Sequence, residues 1–297
     1  IFEIAATVLL FFSWGDYEFE QIGDKIFFSV FHAISAFNNA GFTLFPEGLA
    51  HPLISQNISF MTIMAATIVL GGLGFGTIHD LFSYRAVLMR RKNPWKHLKV
   101  NSKISFYSTI VLILVGSLFY GLLENKEILD GLKIGSQSFL SFIQITIGRT
   151  AGFNIMEIGD LALPTLLVLI ILMFIGGASG STAGGIKTST FTLVLMNAIS
   201  TIRGRKRVEL FKHTIPVEML NLALSVFLFT LGGVLLGIFL LTITDGHLGL
   251  IRIVFEQVSA FCTVGLSMGI TSELSSAGKI ILMISCLLYT SPSPRDA

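Results

Sequence analysis

The sequence predicts an all-α membrane protein assembled from repeated units, each a helix, a half helix that enters the membrane and turns back, an extended turn and a second helix. Three observations carry this expectation. Of 297 residues, 53% are hydrophobic and only 13% charged, about half the charge of an ordinary soluble domain. Apolar runs of spanning length occur at residues 58–78, 104–123 and 217–243, where a hydrocarbon core of about 30 Å needs roughly 20 helical residues. Three shorter apolar segments recur, each followed by a small polar cluster with one glycine. The 26 Phe and 29 Gly suit helices that pack closely in lipid. Two cysteines, Cys262 and Cys286, exclude a disulfide scaffold. The net charge of +2 points to no nucleic-acid partner.

The apolar stretch 161–202 is too long for one straight crossing. A break is expected at Gly176, Gly177, Gly180, Gly184 and Gly185. Residues 1–14 are apolar from the start, with no basic region or cleavage site before them, and read as the back half of a helix. Twelve of the 20 Lys and Arg lie in residues 83–103 and 203–212, which the positive-inside rule makes cytoplasmic. The acids Asp16, Glu18, Glu20 and Asp24, then Glu124, Glu127 and Asp130, then Asp245, mark the opposite, external side. The first group reads as a solvated loop or as a negative vestibule that raises local cation concentration.

Between these landmarks lie the short segments 26–37, 135–147 and 250–261, too short to span and of re-entrant length. Each leads into a polar cluster: Asn38-Asn39-Ala40-Gly41, Arg149-Thr150-Ala151-Gly152 and Cys262-Thr263-Val264-Gly265. The glycines are 111 and 113 residues apart, which marks an internal repeat. Non-helical backbone survives at membrane depth only where protein buries it or water reaches it, so three matching turns suggest a pore. Cation selectivity needs backbone carbonyls aimed at a dehydrated ion, and glycine permits the dihedrals. Each half helix also presents the negative end of its dipole to that site. Asn39, Thr150 and Thr263 are equivalent, and their side-chain oxygens either join the carbonyl ring or, as we favour, brace the turns. Arg149 beside a cation path is expected to point backwards and be neutralised by a carboxylate or by carbonyls.

Thr263-Val264-Gly265 repeats the opening of the potassium-channel TVGYG filter. With SAFNNAGF (35–42), GRTAGF (148–153), FIGGASGSTAGGIKTSTF (174–191) and SAFCTVGLS (259–267), the chain resembles the Trk/Ktr/HKT potassium transporters, the Ktr-type membrane subunit in particular. The resemblance covers residues 1 to about 285 and implies four units around a pseudo-fourfold pore in a plasma (inner) membrane, three of them present here as the second to fourth. It implies potassium as substrate, sodium as a candidate activator or co-ion, no bound cofactor, a homodimer and a cytosolic ring of nucleotide-binding subunits. The expected units are 1–82, 104–202 and 216–285, joined by basic loops 83–103 and 203–215. Residues 286–297 resemble a translated sequencing adapter and are expected to end the last helix. The chain so read is a piece of a longer subunit.

The stretch 176–187 admits three readings. Gly177-Ala178-Ser179-Gly180 matches the GxSG turn of intramembrane serine proteases, with Ser179 or Ser181 as nucleophile, but the later His213 and His247 are expected at opposite faces. A phosphate loop fails because Ile186 precedes Lys187 where glycine is required. The third reading is a hinge in a long helix, whose functional form is a gate built from Gly176, Gly177, Ser179, Gly180, Ser181, Gly184 and Gly185. Lys187 is a gate candidate, against its more ordinary role as a snorkelling anchor. A transporter of organic solutes also uses broken helices, yet it needs no repeated ring of glycine turns. His32, His51, His79 and His97 show no ligand spacing, and no metal site is argued from them.

Overall fold

The computed structural model describes residues 1–83, 98–124, 134–205, 207–211 and 213–290. Most of the basic loop 83–103, Lys206 and Lys212 of the second loop, and the acids Glu127 and Asp130 lie outside the described residues. The first unit comprises α1 (Phe2–Phe12), α2 (Ile22–Phe37), the single turn α3 (Pro52–Ser55), α4 (Ile58–Gly72) and α5 (Phe75–Phe82). The second comprises α6 (Val100–Leu123), α7 (Ile134–Thr150), α8 (Leu163–Phe174) and α9 (Thr188–Ile202). Two short antiparallel strands, β1 (Glu209–Leu210) and β2 (His213–Thr214), precede the third unit, α10 (Val217–Asp245), α11 (Leu250–Phe261) and α12 (Ser276–Thr290).

Helices α6 and α10 are long and apolar enough to cross a membrane, and the bent pair α4 and α5 is a third candidate. They expose Leu114, Leu118 and Leu122 on α6 and Phe229, Leu236 and Phe239 on α10, as lipid-facing surfaces do. The expected straight span 58–78 is corrected: α4 and α5 meet at 105°. Gly74 there adopts φ 78°, a left-handed conformation open to glycine, and a Cβ on it would sit 2.7 Å from the Ser179 carbonyl oxygen. Phe75 N–H donates to the Gly180 carbonyl at 3.0 Å, so the bend is a docking point for the stretch 176–187.

Three other boundaries differ from the sequence reading. The first half helix starts at Ile22 rather than 26, with Asp24 in its first turn, where a carboxylate favours the helix dipole. The second runs to Thr150 rather than 147, because Ala151 N–H still reaches the Ile147 carbonyl at 3.1 Å in helical register. Arg149 and Thr150 are therefore helical residues, not part of an extended turn. The last helix continues through Cys286 to Thr290, because Leu287 and Leu288 favour a helix and the next proline in the sequence comes only at Pro292. The break in 161–202 is present: α8 stops at Phe174 and α9 starts at Thr188.

Two apolar cores hold the units together. Trp14, Phe45 and Phe60 of the first unit pack with Ile143, Ile147 and Phe153 of the second. Tyr120, Leu166 and Leu169 of the second unit pack with Phe255, Val258 and Phe261 of the third. Ile145 joins this second core, so α7 is gripped on both sides, each fully buried aliphatic contributing about 1.5–3 kcal/mol.

One polar group ties the outer ends of two helices in each unit. Asn57 donates to the Ser13 carbonyl at 2.7 Å and accepts from Phe60 N–H at 3.0 Å. Glu124 accepts from Ala162 N–H at 3.0 Å, at the start of α8. Asp245 accepts from Ser275 N–H at 2.8 Å, at the start of α12. Glu124 and Asp245, expected in external loops, are instead 0% and 1% exposed, because each caps a helix N-terminus.

Candidate functional site

The three glycine turns meet. After α2 and α11 the backbone reverses in the same way: Asn39 and Thr263 both take φ 51°. Ala40 N–H donates to Ser35 O and Val264 N–H to Ser259 O, each at 2.9 Å, closing a Schellman turn on the last carbonyls of the helix. Asn tolerates this left-handed conformation, whereas β-branched Thr263 is strained in it by about 1–3 kcal/mol. Serine hydroxyls brace both strands: Ser35 donates to Phe42 O at 2.7 Å, and Ser259 accepts from Gly265 N–H at 3.2 Å.

Gly41, Gly152 and Gly265 follow with φ 74°, 72° and 96°. A Cβ on Gly41 would overlap the Ala151 carbonyl oxygen, and one on Gly152 would overlap the Val264 carbonyl oxygen. The strands thus lie side by side in the order first, second, third, the glycine of the first against a carbonyl of the second and the glycine of the second against a carbonyl of the third. The half helices α2, α7 and α11 all end at this cluster. The side chains at the equivalent positions bond one another: Thr150 Oγ1 donates to Asn39 Oδ1 at 2.8 Å, and Asn39 Nδ2 donates to Thr182 Oγ1 at 3.0 Å. Asn38 lies at the rim, donating to the Ile34 carbonyl at 3.0 Å, and Cys262 is fully buried.

The stretch between α8 and α9 folds back on itself. Ile175 pairs with Ile186, Gly176 N–H donates to Ile186 O at 3.0 Å, and Gly177 N–H donates to Gly184 O at 3.2 Å. A Cβ on Gly176 would strike Gly184 O, and Gly185 takes φ 70°, which explains glycine at both. The loop between them reaches the turns: Thr182 donates to Phe37 O at 3.0 Å, and a Cβ on Gly184 would overlap both Cys262 O and Thr263 Oγ1. Its flank is pinned by Ala178 N–H donating to Gly72 O at 2.9 Å. Lys187 Nζ turns back to Ala183 O at 2.7 Å. Ser179 shares a 2.7 Å hydrogen bond with Ser189, while His213 lies in β2 and His247 in the turn after α10, so among the described residues no histidine serves the GxSG serine. Arg149, 4% exposed, donates through Nη2 to Gly176 O at 3.4 Å, a carbonyl and not a carboxylate.

Sequence reasoning missed Thr182 and Glu256. Glu256, inside α11, accepts from Met268 N–H at 3.0 Å, from Thr271 Oγ1 at 3.0 Å and from the Ser267 hydroxyl. It thereby holds the strand leaving the third glycine turn. An acid inside the apolar run LIRIVFEQVSAF was the available signal, since charges at membrane depth are rare and partnered.

A family model described as TrkH, cation transport protein, matches residues 1–288. The chain belongs to this TrkH cation transport family. Among its relatives is Ktr system potassium uptake protein B of Bacillus subtilis, 38% identical over 265 residues, covering 87% of this chain and 56% of that protein. The protein of the same name from Vibrio alginolyticus is 35% identical over 284 residues, covering 95% of this chain and 60% of that protein. Potassium/sodium uptake protein NtpJ of Enterococcus hirae is 34% identical over 267 residues, covering 87% and 56%. The chain therefore spans little more than half the length of these relatives. The crystal structure of the potassium transporter TrkH from Vibrio parahaemolyticus has the same fold, with TM-score 0.75, 16% identity and coverage of 97% of this chain and 59% of that one. As a TrkH-family chain it is a membrane protein of repeated, broken helices.

Proposed function

We propose that this chain forms most of the pore of a potassium uptake subunit, with the glycine turns as selectivity filter and residues 176–187 as an intramembrane gate. One observation carries the reading: three glycine turns, each at the negative end of a half helix, abut so closely that carbonyls of the second and third strands occupy the space of side chains on the first and second. Such carbonyls replace the hydration shell of a cation and repel an anion. The filter backbone comprises Asn38 to Gly41, Arg149 to Gly152 and Cys262 to Gly265, in units 1–82, 104–202 and 216–285. The names of the Ktr relatives support potassium as substrate, and that of the NtpJ relative supports testing sodium as co-ion. The membrane potential drives entry, at about 2.3 kcal/mol per charge per 100 mV.

The gate reading is supported by the loop at Thr182 and Gly184, which bonds Phe37 O and Asn39 and lies against Cys262 and Thr263. Helix α9 leads from this loop into the basic stretch 203–215, a handle for a cytosolic nucleotide-binding partner of the homodimer. The test is potassium uptake by the complete subunit in cells lacking their own uptake systems. Growth at low potassium that is restored by the wild-type protein and lost with Gly152→Ser supports the reading, and equal growth with both overturns it.

A further inference from the structure

Arg149 is a guanidinium buried inside the membrane region, in the last turn of α7 and three residues before Gly152. Among the described residues no carboxylate forms an ion pair with it. Its Nη2 reaches one carbonyl, Gly176 O, and its Nη1 is buried with no hydrogen-bond partner. Two threonine hydroxyls share that condition: Thr109 on α6 and Thr146 on α7, each 3% exposed, have a buried Oγ1 without a partner. All three residues line one small cavity, walled further by Ile68, Val69 and Gly72 of α4, with room for a single small species.

An unpaired positive charge at this depth is costly, and beside a cation path it opposes the ion that the carbonyls are set to receive. A guanidinium N–H and two hydroxyls are donors, and no anionic acceptor of the protein is there to meet them. We propose that this cavity holds one monovalent anion of halide size, chloride in the cell, as the counter-charge of Arg149. Bound there, chloride accepts from Arg149 Nη1 and from the Thr109 and Thr146 hydroxyls. It neutralises the guanidinium and leaves its Nη2 on the gate loop. The site goes beyond the potassium reading and stands whether or not the pore is selective for that ion.

The test uses the complete subunit in detergent or nanodiscs. Crystals grown in bromide should show one anomalous peak per chain between Arg149, Thr109 and Thr146, and radiolabelled chloride should bind saturably at one site per chain. Thr109→Val with Thr146→Val, which keeps shape and removes both donors, should weaken chloride binding at least about tenfold. Thr109→Ser with Thr146→Ser should restore it. A cavity without a bromide peak and without saturable chloride binding, holding only water, overturns the proposal. So does a double-valine variant that binds chloride as the wild type does. The bromide measurement on the wild-type protein decides the matter even where the double-valine variant does not fold.

Discussion

Thr150 donates its hydroxyl to the Asn39 side-chain oxygen at 2.8 Å, joining two glycine turns that are 111 residues apart in the chain. Both side chains are buried, and Asn39 passes the connection on to Thr182 of the proposed gate loop. The first strand, the second strand and the loop beneath them are thus one hydrogen-bonded body. Removing the Thr150 hydroxyl leaves the buried Asn39 Oδ1 unmatched, which costs more than the bond itself contributes.

Thr150→Val leaves Asn39 Oδ1 unpaired inside the protein. The expected loss of stability is about 1–3 kcal/mol, read as a lower thermal midpoint in detergent. The ratio of potassium to sodium uptake should fall with it. A double-mutant cycle with Asn39→Ala should show strong coupling, and additive losses would mean that the two turns are independent.

The glycines differ in how much room surrounds them. A Cβ on Gly152 meets the Val264 carbonyl, whereas one on Gly265 has nothing nearer than Gly152 Cα at 3.9 Å. Gly265 is restricted only by its φ of 96°. Gly152→Ser should therefore abolish selective uptake, and Gly265→Ser should reduce it less. Rubidium and sodium uptake measured side by side for the two variants checks the order.

Thr182 lies in the proposed gate loop and holds both Asn39 and the Phe37 carbonyl. Thr182→Val removes both contacts while keeping the shape. Basal flux without the cytosolic partner is expected to rise several-fold, and deletion of residues 179–183 should raise it further and reduce its dependence on the partner. Flux that stays fully partner-dependent in both well-folded proteins would reduce the loop to a structural hinge.

Glu256 accepts three hydrogen bonds from the strand that leaves the third turn. Glu256→Ala strands the Met268 N–H and should lower stability by about 1–3 kcal/mol together with uptake. Glu256→Gln retains one acceptor oxygen and should keep part of both. Thermal unfolding and uptake measured on the same preparations separate the two effects.

Asp245 caps α12 through Ser275, on the side away from the proposed gate. Asp245→Ala should destabilise the fold by roughly 0.5–2 kcal/mol with potassium preference unchanged. A change in ion preference would show that the outer helix ends also shape the filter.

The membrane class, the half helices, the glycine of each turn and the break in 161–202 are legible in the amino-acid sequence alone. Each of these follows from one-dimensional signals: apolar length, glycine spacing and charge placement. Other features were legible only in three dimensions. The bend after Gly72 depends on Gly180 of another unit docking against Phe75, so the apolar run 58–78 alone reads as one span. The extra helical turn at Arg149 and Thr150 is stabilised by contacts on both sides of α7: the Asn39 amide takes the Thr150 hydroxyl, and Gly176 O takes the guanidinium. Glu124 and Asp245 look like loop acids until the following helix brings its free N–H groups to them. Local periodicity records how a segment meets lipid, whereas pairings across more than a hundred residues exist only once the units are packed, because each polar partner is supplied by a different unit.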